Sequence, residues 1–291
     1  NVAADKLKGV TQPTIYRVNE LAARILLSRV YLYMGEWQLA LDECQKALNL
    51  GNVELMDLNS FPGREENRYI LDVENPEIIF TQGYSATNVF YKNISYFTIC
   101  SFSCSEELIS LYNSFDDQVI KDLRLNAFFE DNGDEQYRVS KVGEKVYDCF
   151  AIRSVELYLN KAEAEAMLDK AEAIQTIKTL LHNRFEGGIP DVDGLSGKDL
   201  VSFIRDERRR ELCFEAHRWF DLRRYAVSPK YPEKKSIRHT AYDIKGKLEG
   251  DYVLKPYGED PAWVLPIPGY EIVYNQGNLV DNPQRVDREL E

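Results

Sequence analysis

Residues 31–48 read YLYMGEWQLALDECQKAL, and this stretch decides the fold. Apolar residues recur at helical spacing on both sides of Gly35. The stripe before this glycine comprises Ile15, Val18, Ala22, Ile25, Leu26, Val30 and Tyr33, and the stripe after it comprises Trp37, Ala40, Leu41, Cys44, Ala47 and Leu48. Gly35 interrupts the helical run, and Gly51 supplies a C-terminal stop. Residues 1–51 are therefore predicted to form a helical hairpin.

The order of residue types in this hairpin fits the second half of a tetratricopeptide repeat. The matching positions are Tyr31, Gly35, Trp37, Ala40, Cys44 and Ala47. A second helical pair is predicted over about 152–185, with a turn near Asp169. Since roughly three or more repeats are usually needed for stability, two visible pairs indicate that part of the scaffold lies outside this sequence.

Residues 52–150 differ in character and are predicted to be a loop-rich insertion. They include a short strand at 77–80, a helix from Glu106 to Tyr112 capped by Ser105, and a hairpin around Gly133. The region 151–225 is predicted to be helical, ending in one long helix over about 197–225. A coil-rich tail with short strands follows at 226–291. The fold class is therefore mainly α, with tetratricopeptide-like helix pairs in a single domain.

Charge and motif content exclude several functions. The chain has 36 basic and 48 acidic residues, a net charge of −12, so a nucleic-acid partner is not expected. No run approaches the ~18 apolar residues of a membrane span. Five cysteines and three histidines show no zinc spacing, so neither a metal nor another cofactor is predicted. The acidic run at 131–135 lacks the ligand order of a calcium loop, which favours a solvated loop.

Residues 203–224 combine charges with an apolar stripe. If they form one helix, Arg208, Glu211, Glu215 and Arg218 fall within a sector of about 80°. One interpretation is a catalytic carboxylate pair, Glu211 and Glu215, as in a glycoside hydrolase. The other is a structural ion network, and it is favoured because each acid has an arginine nearby.

An aromatic-rich loop is the best candidate for a ligand site. Sugars offer apolar C–H faces and many hydroxyl groups, so a site for them combines stacking rings with amides. The residues that supply this mixture are Tyr84, Asn88, Tyr91, Asn93 and Tyr96. An equally plausible interpretation is that these rings attach the insertion to the helices.

Four segments in order resemble those of SusD/RagB-like outer-membrane nutrient-binding lipoproteins. Residues 204–224, IRDERRRELCFEAHRWFDLRR, resemble the family's most distinctive helix. Residues 151–164, AIRSVELYLNKAEA, are similar to a second helix, and residues 31–40 are similar to part of the opening hairpin. Residues 265–283, LPIPGYEIVYNQGNLVDNP, resemble the terminal motif, although Asp281 replaces the usual glutamine.

The resemblance implies a binding protein with no catalytic residues. Such proteins capture glycans such as starch, or in some members peptides, at the outer face of the outer membrane. They cover a SusC-type TonB-dependent transporter that imports the ligand. The family's N-terminal region, with its signal peptide and lipid-anchored cysteine, is expected to be absent from this sequence. Contact with the membrane is expected only through that anchor.

Overall fold

A computed structural model describes residues 2–66, 68–82, 104–115, 119–131, 133, 137–142, 151–243, 245, 247–285 and 289–290. Residues 1–218 and 219–291 form two compact units. The sequence predicts a single domain over the same chain.

The described part of the chain is mainly α-helical, as predicted. Its helices are α1 (Val2–Lys6), α2 (Glu20–Met34), α3 (Trp37–Asn49), α4 (Glu106–Asn113), α5 (Arg124–Phe128), α6 (Ser154–Met167), α7 (Glu172–Leu181), α8 (Gly197–Glu211), α9 (Arg218–Ala226) and α10 (Gly269–Tyr274). Short 3-10 turns occur at Leu58–Ser60, Arg64–Glu66 and Pro261–Trp263.

The strands are short and form antiparallel pairs. They are β1 (Ile78–Thr81), β2 (Lys121–Asp122), β3 (Phe129–Asp131), β4 (Tyr137–Val139), β5 (Ala151–Arg153), β6 (Phe185–Glu186), β7 (Ile237–Tyr242) and β8 (Leu248–Leu254). Strand β1 pairs with β5, β2 with β6, β3 with β4, and β7 with β8. The strand predicted near residue 78 and the hairpin predicted around Gly133 are confirmed.

The two predicted helix pairs, α2–α3 and α6–α7, are present. Gly35 ends α2 with a left-handed φ of 74°, and the Glu36 N–H donates to the Tyr31 carbonyl at 2.9 Å. This is the local geometry that favours glycine after a helix. Helix α2 begins later than its apolar stripe, because the side chain of Asn19 accepts a hydrogen bond from the Ala22 N–H at 2.8 Å.

Two of the apolar clusters among the described residues organise the strands and the insertion of the first unit. One joins α2, α3, β1, β5 and α6, and its buried members are Leu21, Ala22, Ile25, Cys44, Ala47, Ile79, Ile152 and Leu157. The other holds the insertion together around Phe128 and Phe129. It includes Tyr112 on α4, whose cap by Ser105 is confirmed. The described part of the insertion therefore packs around an apolar cluster that it shares with Cys213 and Phe214, in the turn after α8.

The prediction of one long helix over 197–225 is wrong. Helix α8 ends at Glu211, and α9 begins at Arg218. Between them Phe214 and Ala216 have left-handed φ values of 61° and 62°. The carbonyl groups at the end of α8 accept hydrogen bonds from distant side chains. These bonds run from the Tyr112 hydroxyl to Arg210 (2.7 Å), from Lys141 Nζ to Glu211 (2.9 Å) and Cys213 (3.1 Å), and from Arg153 Nη2 to Glu211 (3.2 Å).

The second unit contains more regular structure than the coil-rich tail predicted for residues 226–291. Strands β7 and β8 pair from Ile237↔Leu254 to Tyr242↔Leu248. Trp263 is buried, and its indole N–H donates to the Lys255 carbonyl at 2.7 Å. No helix in the described part of the chain has the combined length and hydrophobicity that a transmembrane segment requires.

Candidate functional site

The predicted ligand loop lies outside the described residues. This applies to all five of its proposed contact residues, Tyr84, Asn88, Tyr91, Asn93 and Tyr96. Their role as a glycan site stays a prediction. The structure does describe the chain on both sides of this loop.

Both flanks of the loop are attached to the first unit. On the N-terminal side, Thr81 is fully buried and pairs with Ala151 of β5. On the C-terminal side, the Cys104 N–H donates to the Tyr137 carbonyl of β4 at 2.8 Å. Ser105 then caps α4 by accepting from the Leu108 N–H. Binding loops are typically carried on such ordered elements.

Next to strands β1 and β5 lies a group of buried charged side chains, here called the buried ion cluster. Its members are Glu77, Asp122, Arg124, Lys141, Arg153, Arg184, Glu207, Arg210, Glu211 and Glu215. All of their side chains are at most 4% exposed. With five basic and five acidic members, the cluster as defined carries no formal net charge.

Glu211 is the central carboxylate of the buried ion cluster. Its oxygens lie 2.9 Å from Arg184 Nε, 3.3 Å from Arg153 Nη1 and 3.5 Å from Arg124 Nη1. Burial alone raises the pKa of Glu211, but the three guanidinium groups outweigh burial and hold that pKa below its ordinary value. Glu211 is therefore ionised at neutral pH and accepts hydrogen bonds from these cations.

Glu215 and Glu77 extend the cluster towards the strands. Glu215 accepts from Arg153 Nη2 at 2.7 Å and from Lys141. Glu77 lies 2.6 Å from both Arg153 and Arg184, and it accepts from the Met56 N–H at 2.9 Å. Glu77 directly precedes β1, and Arg153 belongs to β5. The cluster therefore ties the strand pair at the base of the loop to the end of α8.

The remaining members connect the insertion to α8. Arg124 contacts Asp122 Oδ2 at 2.7 Å and Glu207 Oε2 at 2.8 Å. Glu207 also accepts from Arg210. Burial raises the pKa of Glu207, but Arg124 and Arg210 outweigh burial and leave its pKa below the ordinary value.

This geometry favours the structural interpretation of Glu211 and Glu215 over a catalytic one. A general base needs an accessible position and a pKa near the working pH, whereas both carboxylates are buried and ion-paired. The predicted arrangement of these two carboxylates with Arg208 and Arg218 along one helix is nevertheless wrong, because α8 ends at Glu211. Their cations come instead from Arg124, Lys141, Arg153 and Arg184, whose contribution helical periodicity could not reveal.

A second buried polar group joins α2, α6 and α8. Arg29 Nη2 donates to Glu156 at 2.6 Å, and Arg208 lies 3.8 Å from the same carboxylate. Arg208 also donates to Asn160 Oδ1 at 2.7 Å. Burial raises the pKa of Glu156, but Arg29 and other nearby cations outweigh burial and bring its pKa to about 2. This group fixes the first helix pair to the second.

Two tryptophans of the second unit pack against each other. In the second unit, the rings of Trp219 and Trp263 lie 4.3 Å apart between centroids. Trp263 is 2% exposed, whereas Trp219 is 37% exposed. Tyr257 packs edge-on against Trp263 at 5.9 Å.

Among the described residues, no cluster of His, Cys, Asp or Glu side chains could hold a metal ion. Cys44 and Cys213 are buried and form no disulfide bond. In the acidic run at 131–135, the structure describes only Asp131 and Gly133. The Gly133 N–H donates to Asp131 Oδ1 at 2.8 Å, which is a local turn contact.

Comparison with known proteins decides the family. A model of the SusD family matches residues 124–284, which is more than half of the chain. The chain belongs to the SusD family. The matched range includes most of the buried ion cluster. It also includes α8 and α9, the helices on either side of residues 212–217.

Individual SusD-like proteins agree with this assignment. The SusD-like protein P2 of Formosa agariphila is 26% identical over 147 residues, covering 45% of this chain and 25% of that protein. A putative sugar binding protein of Bacteroides vulgatus is 26% identical with a TM-score of 0.71, and it matches 97% of this chain. A SusD superfamily protein of Bacteroides thetaiotaomicron matches the same share at 24% identity and a TM-score of 0.69.

The chain spans less than two thirds of the length of these SusD-family relatives. It covers 64% of each of the two solved structures and 25% of the Formosa protein. The mainly α, tetratricopeptide-like architecture predicted from the helix pairs is confirmed by the structure and its SusD-superfamily neighbours.

Proposed function

We propose that the protein is a cell-surface binding protein for oligosaccharides and has no catalytic step. The observation that supports this most strongly is the structural match over 97% of the chain to a solved protein described as a putative sugar binding protein. The SusD-family match over residues 124–284 supports the same conclusion. The binding residues we propose are Tyr84, Asn88, Tyr91, Asn93 and Tyr96.

The proposed mechanism is recognition by ring stacking and amide hydrogen bonds. Tyrosine rings offer flat apolar faces to the C–H surfaces of a sugar, and asparagine amides both donate to and accept from its hydroxyl groups. The flanks of the loop support this role, because β1–β5 pairing and the Cys104–Tyr137 hydrogen bond hold its two ends. Rigid flanks reduce the entropy lost when a ligand is bound.

The family assignment also supports a role in import. We propose that the complete protein is lipid-anchored at the outer face of the outer membrane and covers a SusC-type TonB-dependent transporter. The test is to isolate the protein from membranes of its own organism under mild detergent and identify what co-purifies. A stoichiometric transporter supports the proposal, and a protein recovered alone from intact membranes contradicts it.

A glycan array tests the ligand class. The complete gene product should bind one or more oligosaccharide families and should release no new reducing ends from them. Binding to a parallel peptide array with none to glycans would assign the protein to the peptide-binding members instead. Release of reducing ends that is lost in Glu211→Gln or Glu215→Gln, measured on variant protein shown to be folded, would support the hydrolase alternative.

A further inference from the structure

A connected group of rings and one cation lies in the second unit, separate in sequence from the predicted ligand loop. Its members, here called the α9 aromatic cluster, are Trp219, Arg223, Tyr257 and Trp263. Trp219 packs on Trp263 at 4.3 Å between ring centroids, and Tyr257 meets Trp263 edge-on at 5.9 Å. The guanidinium carbon of Arg223 lies 4.9 Å from the centre of the Tyr257 ring. Since residues four apart on a helix are neighbours, Arg223 and Trp219 share one side of α9.

The α9 aromatic cluster combines a fixed base with an exposed ring. Trp263 is buried, and its indole N–H donates to the Lys255 carbonyl at 2.7 Å. Trp219 is 37% exposed although it packs on Trp263. Because Trp263 covers one face of Trp219, the opposite face is the side that a ligand can reach. A ring held in place from below loses little conformational entropy when a ligand stacks on it.

Arg223 brings a positive charge to this cluster, and no carboxylate among the described residues pairs with it. The acidic side chains nearest to it in the sequence have other partners. Asp221 on α9 pairs with Arg224 at 2.8 Å, and Glu259, in the turn that carries the cluster's tyrosine, pairs with Lys234 at 2.8 Å. The guanidinium plane of Arg223 stacks on a ring instead, which leaves its N–H edges available to an anion.

A guanidinium beside a stacking ring suits one class of sugar. The planar fork of an arginine binds a carboxylate through two parallel N–H···O bonds. An indole ring packs against an apolar surface such as the C–H face of a pyranose. The Cβ atoms at positions i and i+4 of a helix are ~5–6 Å apart, which is of the size of one pyranose ring. A uronic acid carries the carboxylate and the C–H face on the same ring.

We propose that the α9 aromatic cluster is a second contact site for the oligosaccharide and that it recognises a uronic acid residue. Trp219 stacks on the sugar ring, and Arg223 binds its carboxylate. This inference rests on the proposed function, since it names the sugar class that a second site of the same binding protein takes. The charge of Arg223 then gives preference for acidic over neutral sugars, because an uncharged ring cannot satisfy the guanidinium as well.

A matched pair of ligands tests this proposal on the unmodified protein. Trimers of galacturonate, glucuronate, mannuronate and guluronate are titrated by calorimetry into the complete gene product, each beside its methyl ester. The ester keeps the pyranose ring and removes the charge. At least one trimer should bind about tenfold or more tightly than its ester, as expected for a lost charge-assisted contact. Equal affinity for acid and ester throughout the panel, or binding of none of the acids, would overturn the proposal.

Substitutions test whether that preference arises at α9. Arg223→Gln should abolish the preference for acid over ester. Arg238→Gln should retain it, because Arg238 is a 58% exposed arginine on β7 whose removal changes the net charge equally. Trp219→Leu should weaken acid and ester alike, by about fivefold or more. Melting temperatures establish that each variant is folded. An undiminished preference in folded Arg223→Gln would overturn the proposal.

The result can be separated from a failure of the proposed function. Binding of neutral oligosaccharides that depends on Tyr91 or Tyr96, with no preference for acids over esters, would leave the proposed function intact and overturn this inference alone. Sulfated neutral trimers are the control for the kind of anion. Tighter binding of these than of any uronate trimer would also overturn the inference, because it would assign Arg223 to a different anion.

Discussion

Single charged residues determine much of the stability of the first unit. Removing one member of a buried ion pair leaves its partner charged in an apolar setting. We expect Glu211→Gln to lower the free energy of unfolding by about 3–5 kcal/mol, because Arg124, Arg153 and Arg184 all face this carboxylate. Glu172→Gln, at an exposed position on α7, should change it by less than about 0.5 kcal/mol.

The readout is chemical denaturation at neutral pH, with ligand affinity measured on the folded variants. The structural role predicts reduced stability with nearly unchanged affinity. Normal stability with lost affinity or lost turnover would return Glu211 to the list of functional residues.

Glu156 provides a prediction about pH. Its pKa is about 2 in the folded protein and 4.5 in its reference state, so it contributes stability that is complete above about pH 4.5 and is lost as the pH falls towards 2. Glu156→Gln removes this contribution at every pH. The difference in unfolding free energy between wild type and Glu156→Gln should therefore be large at pH 7 and shrink steadily between pH 4.5 and 2.

Melting curves of the two proteins across this pH range check the prediction. A difference that stays constant down to pH 2 would show that the effect of the substitution does not depend on the ionisation of Glu156. A difference that grows on acidification would mean that folding raises the pKa of Glu156, and it would refute the lowered pKa.

At the scale of elements, one glycine after β6 allows the backbone of the insertion to approach closely. Gly187 has a left-handed φ of 77°, and a Cβ atom added to it would lie 2.4 Å from the Val119 carbonyl oxygen. Because the clashing atom belongs to the backbone, we expect Gly187→Ala to separate β2 from β6. The substitution should lower the free energy of unfolding by about 2–4 kcal/mol.

Gly51→Ala is the matched control for this substitution. Gly51 has nearly the same φ, 75°, but an added Cβ meets nothing within 4 Å. It should therefore cost only the ~1–2 kcal/mol of a left-handed alanine. Denaturant titrations that give equal losses for the two variants would contradict the close approach.

The helix pairs could be predicted because their causes are local. Apolar spacing, Gly35 and the Ser105 cap lie within a few residues of the structure they specify. The end of α8 could not be predicted in this way. Helical periodicity continues through Glu211 to Arg218, and the break depends on Lys141, Arg153 and Tyr112, which lie far away in the sequence.

The same distinction applies to the candidate site. The residue types predicted that Glu211 and Glu215 belong to a group of charged side chains. The structural role of these two carboxylates follows from their burial. Their partners come from β5, the insertion and the segment between α7 and β6, and no spacing along one helix indicates such partners. The ligand residues proposed at 84–96 follow from their residue types, since rings and amides together suit a sugar.

At the scale of the whole molecule, the buried and charge-compensated cluster of the first unit lies next to the strand pair β1–β5, which precedes the predicted ligand segment. The family assignment gives this arrangement its proposed purpose, which is carbohydrate capture without catalysis. In this account, the buried ion cluster determines stability, and the loop determines affinity. Substitutions in the two places should therefore affect different measurements.

Isothermal titration calorimetry on the complete protein with its cognate oligosaccharide tests this claim most directly. Tyr91→Ala and Tyr96→Ala should each weaken binding about five- to thirty-fold, which corresponds to the ~1–2 kcal/mol of one ring contact. Their melting temperatures should not change. The control is Tyr274→Ala, which removes a ring that is 86% exposed on α10 and should leave affinity unchanged. Unchanged affinity in both loop variants would contradict the account and place the ligand site elsewhere in the protein.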